Sequence, residues 1–143
     1  MRKKIAFFTT LICLLVSSLT FFIGCGEKAE AKATLILSTE TRVVIKVDSV
    51  KGNAMLKHAL DSVVGENFSY ELSNGMVSKV NGVENPADWS KCWMIYTSDT
   101  EFSNNTYGTV TYEGLTFGSA ILGVNDLPVI VNAYYVLNFT SFS

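Results

Sequence analysis

The chain carries one histidine, two prolines and three cysteines in 143 residues, and each shortage closes off a class of chemistry. No Ser-His-Asp order, no His-Glu-x-x-His helix and no Gly-rich phosphate loop is present, so neither hydrolytic nor nucleotide chemistry has its usual residues. Cys13, Cys25 and Cys92 never fall in a Cys-x-x-Cys spacing, which excludes a zinc or dithiol redox site of that kind. Clusters of basic residues are also missing past the first turn of chain. After residue 24, eight Lys and Arg face thirteen Asp and Glu, a net charge of −5. Nucleic acid is a poor partner for such a surface, which lacks both phosphate-binding cations and interleaved basic and aromatic residues.

What is abundant comes first at the N-terminus. Arg2, Lys3 and Lys4 precede an apolar run from Ile5 to Ile23, and Phe22-Ile23-Gly24 stands immediately before Cys25. That order is a secretory signal peptide. A cysteine directly after Gly24 resembles the bacterial lipobox, in which cleavage before the cysteine leaves a thiol that carries diacylglycerol. The resemblance implies a signal peptide over 1–24, lipidation at Cys25, a polar tether over 25–32 and a domain over 33–143. The apolar run is nearly long enough to span a bilayer uncleaved. The small Gly24-Cys25-Gly26 and polar Glu27–Lys32 oppose that alternative. Either way the remaining chain, about 110 residues and enough for one core, is expected on the extracytoplasmic face of the cell membrane.

Within it, Thr34–Ser38 and Arg42–Val50 read as strands. In the second, Val43, Ile45 and Val47 alternate with Val44, Lys46 and Asp48, so one buried and one wetted face is expected. Leu56, Ala59, Leu60 and Val63 repeat at helical spacing between Asn53, a good N-cap, and Gly65, a good stop, which predicts a helix over 53–64. His58 and Asp61 would then face solvent. Phe68–Leu72 alternates as a strand, closed by a turn at Ser73-Asn74-Gly75. The stretch from Gly75 to Ser98 reads as a strand (76–80), a tight Asn81-Gly82 turn, a loop through Pro86 and a second strand (92–98). Trp93 and Ile95 would lie on one face of that strand, and Met94 and Tyr96 on the other. A polar loop over 99–106, a hairpin around Glu113-Gly114 and a closing strand over 133–139 follow. Two strands, one helix and several strands predict an α+β, β-grasp-like fold, with one helix packed on a mixed, mostly antiparallel sheet.

Several of these pieces, Gly75-Met-Val-Ser-Lys-Val-Asn-Gly-Val83, Cys92-Trp-Met-Ile-Tyr96, Tyr107-Gly-Thr-Val110, Gly118-Ser-Ala120 and Leu127-Pro-Val-Ile130, resemble the transcobalamin-like C-terminal domain family. The likeness spans most of Ala33–Thr140. It departs from the common family form near the C-terminus, where Val131-Asn132-Ala133 replaces a Gly-Asp turn. The resemblance implies a non-enzymatic ligand-binding module outside the cell, with a corrinoid as one flat ligand of that class. No second domain is expected in this chain to close over such a ligand.

Candidate contact residues are Trp89, Trp93, Tyr96, Tyr107 and Tyr112, which gather in and after the middle hairpin and supply rigid, amphipathic area. Trp93, at a strand centre, is a residue more often found in a core than in a site. Glu84, Asp88, Asp99 and Glu101 are loop carboxylates that a hard cation such as calcium takes; a solvated acidic rim reads the same pattern. Cys92 fits either a nucleophile or a small buried apolar residue. No cofactor is expected. The alternatives are a small-molecule binding module, a module that docks on an exported protein or the cell wall, and a hydrolase.

Overall fold

The computed structural model describes residues 28–142. The expected signal peptide and Cys25 lie outside those residues. In chain order the elements are β1 (Glu30–Ser38), β2 (Arg42–Lys51), α1 (Leu56–Asp61), β3 (Tyr70–Ser73), β4 (Met76–Val80), β5 (Val83–Glu84), β6 (Lys91–Thr97), β7 (Ser103–Tyr112), β8 (Leu115–Ala120) and β9 (Tyr134–Ser141). A six-stranded sheet runs β1-β2-β9-β6-β8-β7 and a three-stranded sheet runs β3-β4-β5, with every described pairing antiparallel.

The expected α+β, β-grasp-like architecture is therefore wrong: the described chain is mostly β, and its α-helix has six residues. The apolar stripe is real at Leu56, Ala59 and Leu60, all buried. What fails is the helix at both ends, three residues on each side of Leu56–Asp61. Asn53 caps nothing, because the neighbouring backbone is drawn into strand-like pairing with residues 127–129: Leu56 N–H donates to Leu127 O at 2.8 Å and Val129 N–H to Ala54 O at 3.2 Å. His58 is half-buried rather than solvated, and its Nδ1 accepts the Met55 N–H at 3.0 Å, bracing the first turn. The strand β1 starts at Glu30, so Glu30–Lys32, read as tether, are sheet.

Tight turns with positive φ at both central residues join three hairpins: Asn74-Gly75, Asn81-Gly82 and Glu113-Gly114. Positive φ at both positions matches the strand twist, which is why Asn-Gly pairs serve there. The Asn81-Gly82 turn leads into the two-residue β5, not into the strand starting at Cys92. Pro86 has no N–H to extend the ladder, and Asn85 diverts the chain. Its Nδ2 donates to Val77 O at 2.9 Å while its Oδ1 accepts the Trp93 N–H at 2.9 Å, so one side chain ties β4 to β6 as β6 departs for the large sheet.

The main core lies between one face of the large sheet and the small sheet with α1. Val43, Ile45 and Val47 from β2 meet Leu56, Leu60, Phe68, Val77, Val80, Trp93, Leu127 and Leu137 there. The opposite face is wetted at Asp48 but not at Val44. Val44 is buried with Tyr96, Val110, Phe117 and Val136 in a second, smaller core. Its cover is the β7–β8 hairpin. The strand β8 pairs with β6 only at Tyr96 and Thr97, and Arg42 on β2 donates through Nη1 to Thr111 O on β7 at 3.1 Å. Strands four places apart in one sheet touch only if the sheet coils, and strong right-handed twist supplies that coil.

Candidate functional site

The residues Cys92, Met94 and Tyr96 alternate onto the small-core face of β6, opposite Thr140, Asn138 and Val136 of β9. Tyr96 is held under the hairpin. Toward the start of β6 the hairpin has splayed away, and the same face opens into a groove of about 430 Å³ lined by Met76, Trp89, Cys92, Met94, Tyr107 and Phe142. Each wall has a local cause. Met76 stands beside the Asn74-Gly75 turn at the start of β4. Tyr107 belongs to a four-residue outswing, since β7 pairs with β8 at Asn104 and resumes only at Thr109. Tyr96 Oη reaches the Tyr107 carbonyl oxygen at 3.0 Å and pins that outswing. Phe142 follows β9, its N–H donating to Ser90 O at 3.0 Å and its ring meeting Tyr107 edge-on at 6.4 Å.

Trp89 is the exceptional member. It is 59% exposed and holds φ at +57°. Left-handed backbone at a bulky residue costs about 1–2 kcal/mol, and an exposed ring recovers little of that by packing. Surrounding bonds impose the geometry: Trp89 N–H closes a turn on Pro86 O at 3.1 Å, and Asp88 Oδ1 accepts both Ser90 N–H at 3.1 Å and Ser90 Oγ at 2.8 Å. Those two bonds hold the Asp88 carboxyl below its ordinary 3.8. A lowered folded-state value means that the carboxylate's hold on the loop is complete above 3.8 and is lost as pH falls through the lowered value. Tryptophan emission is accordingly expected to change in that acid limb in the native chain and to stay flat in Asp88→Asn; an identical acid transition in both would refute this.

Among the expected contact residues, the structure brings only Trp89 and Tyr107 to the groove. Trp93 is 3% exposed and belongs to the main core, where its ring stacks on Phe139 at 5.1 Å and Nε1 donates to Val83 O at 2.9 Å. Tyr96 is buried in the small core, and Tyr112 packs half-buried against it. Met76, Met94 and Phe142 carry no functional reading in the sequence, and Cys92 enters there only as a nucleophile or a small buried apolar residue. Cys92 is buried at the groove floor, and burial pushes its thiol up. The signal in the sequence was there: Cys92 and Met94 sit on a strand face whose neighbours could have been polar.

The loop carboxylates do not converge. Glu84 pairs with Lys79 at 3.5 Å near the start of β6, whereas Asp99 and Glu101 follow its end. Among the described residues no group of three or more His, Cys, Asp and Glu could hold a metal ion. Asp99 is buried, with Oδ1 accepting the Glu101 N–H at 3.1 Å and Oδ2 unpartnered. A larger concavity, about 530 Å³, lies where β1 meets α1 and is lined by Ala29–Ala33, His58, Asp61 and Ser62. Two contacts cross it: Ala33 N–H donates to Ser62 Oγ, and Tyr70 Oη donates to Asp61 Oδ1. Burial, and then Asp61, raises the Tyr70 phenol well above its ordinary value. The apolar groove, with the exposed Trp89 ring at its mouth, is the better site. No protein-family model, curated protein or solved structure matches the chain.

Proposed function

We propose that this chain is an exported, lipid-anchored and non-enzymatic binding module that receives a flat small molecule, a corrinoid included, in the Trp89–Tyr107 groove. The observation that carries this reading is Trp89: a large ring held out to solvent in a strained backbone conformation, at the mouth of a groove of other apolar side chains. Strain maintained by surrounding bonds at an exposed residue is a mark of function rather than folding. The sequence supports the rest, through the signal peptide ahead of Cys25 and the resemblance to the transcobalamin-like family.

Topology agrees with a tether at the N-terminal end. Glu30 begins β1 beside Lys51 at one end of the large sheet, while Lys91 and Ser141 pair at the other, beside the groove. The seven residues of β6 run between those ends, roughly 23 Å at 3.3 Å per residue. A lipid on Cys25 would therefore leave the groove facing away from the bilayer.

The test is a titration of the full chain in detergent micelles with a corrinoid, haem and a divalent-ion panel, followed by tryptophan emission and thermal shift. Quenching by a flat ligand is expected, and Trp89→Ala should weaken binding by about tenfold or more. If no ligand quenches emission or shifts the melt, the small-molecule reading is finished and docking on an exported protein takes its place.

A further inference from the structure

The groove has a second chemical character that its rings do not explain. Three of its six lining residues present sulfur: Met76 from β4, and Cys92 and Met94 from β6. Cys92 and Met94 are two apart on one strand face, so their side chains start roughly 7 Å apart and lean over the same hollow. Met76 closes from the small sheet, exposed and unbranched, with three rotatable bonds to bring its thioether inward. The hollow supplies no imidazole and no carboxylate, the groups that borderline and hard cations select. Thioether and thiolate sulfur select the softest ions, monovalent copper above all.

We propose that Met76, Cys92 and Met94 form a three-sulfur site for monovalent copper, with the Trp89 ring over the bound ion. Binding forms one bond from copper to the Cys92 sulfur while the thiol proton leaves to solvent; the two thioethers donate lone pairs, and no electron is transferred. The Trp89 ring, exposed and lining the groove, adds attraction for a monovalent cation that carries little hydration. Low polarity around the ion and an 8%-exposed cysteine keep water and oxidants from the thiolate. The site shares its groove and Trp89 with the flat-ligand reading but does not rest on it, because the bonds to copper come from sulfur.

The experiment uses the full chain in micelles with Cys13→Ser and Cys25→Ser, so that Cys92 is the single thiol. Monovalent copper is presented without oxygen as its bicinchoninate complex. One equivalent of copper is expected to leave the chelator, with a new ultraviolet sulfur-to-copper absorption and quenched Trp89 emission. Met76→Leu and Met94→Leu keep volume and apolarity and cost little stability, yet each should weaken copper binding by about tenfold or more, and Cys92→Ala by a further tenfold. The paired leucine variant should melt close to the parent while losing copper capture, which separates loss of the sulfur ligands from loss of the fold. Copper that stays with the chelator overturns the proposal. So does copper capture that the paired leucine variant leaves unchanged, or an equal response to magnesium.

Discussion

Trp93→Ala is expected to remove about 3–5 kcal/mol of stability, the range for truncating a large core aromatic. Its ring fills the junction of the two sheets, 5.1 Å from Phe139 and inclined by 28°. Deletion leaves a cavity that β6 and β9, hydrogen-bonded along Lys91–Thr97, cannot collapse to fill. It also removes the Nε1 donor to Val83 O, leaving the carbonyl of the two-residue β5 without that partner. A domain of this size has about 5–15 kcal/mol in all. At about 4–8 °C per kcal/mol, the melting temperature should fall by at least about 12 °C. Calorimetry of the parent, Trp93→Ala and Trp89→Ala checks this. The exposed Trp89 should melt within about 0.5 kcal/mol of the parent, since it packs little and its backbone is strained. Equal melts for the two tryptophan variants would mean that core and site have been assigned the wrong way round.

That contrast also marks what could be read from residues alone. Alternation put Trp93 and Ile95 on one face of β6 and Met94 and Tyr96 on the other, and the two cores contain them in that division. Asn81-Gly82 and Glu113-Gly114 identified their turns because the requirement for positive φ is local. What alternation could not tell was whether a face would be covered by something distant. Val44 looked solvent-facing, yet it is buried because a hairpin some seventy residues later coils back over it, as the Arg42–Thr111 bond records. The helix was overcalled for the same reason. Residues 53–55 carry good helix-start signals, but backbone of residues 127–129 competes for their hydrogen bonds and wins. A six-residue helix lies far below the length that stands alone in water and survives by packing.

The groove was half legible. Trp89 and Tyr107 were found because aromatics in polar loops have no core to enter. Tyr96, on a strand face, belongs to the core, since the outswing that covers it begins nine residues on and its register is set by β8. Met76 and Phe142 went unnoticed because each looks like ordinary strand filler until the β7–β8 hairpin splays from β6 and exposes the floor between them.

That outswing hangs on Gly118, and Gly118→Ala is expected to damage both stability and binding. A Cβ there would lie 2.7 Å from the Asn104 carbonyl oxygen and 3.3 Å from the Ser103 Cβ and Oγ. The nearest clash is with backbone across the β7–β8 ladder, so no flexible side chain can swing aside. Relief requires β7 to move at the last paired residue before the outswing. That movement would stretch Ser119 Oγ from the Asn104 carbonyl, now 3.0 Å away, and Tyr107 N–H from Ser119 Oγ, now 3.4 Å away. Overpacking of this kind costs about 1–3 kcal/mol. It should also carry Tyr107 off the groove wall, so the affinity for whichever ligand binds should drop with the melting temperature. Gly65→Ala is the control: nothing lies within 4 Å of the added methyl, and the substitution should be neutral or stabilising by up to about 1 kcal/mol, with binding intact. Paired melts and titrations decide the matter. If Gly118→Ala behaves like Gly65→Ala in both, the outswing is not braced by the close approach of β8, and Tyr107 is placed in the groove by something other than this ladder.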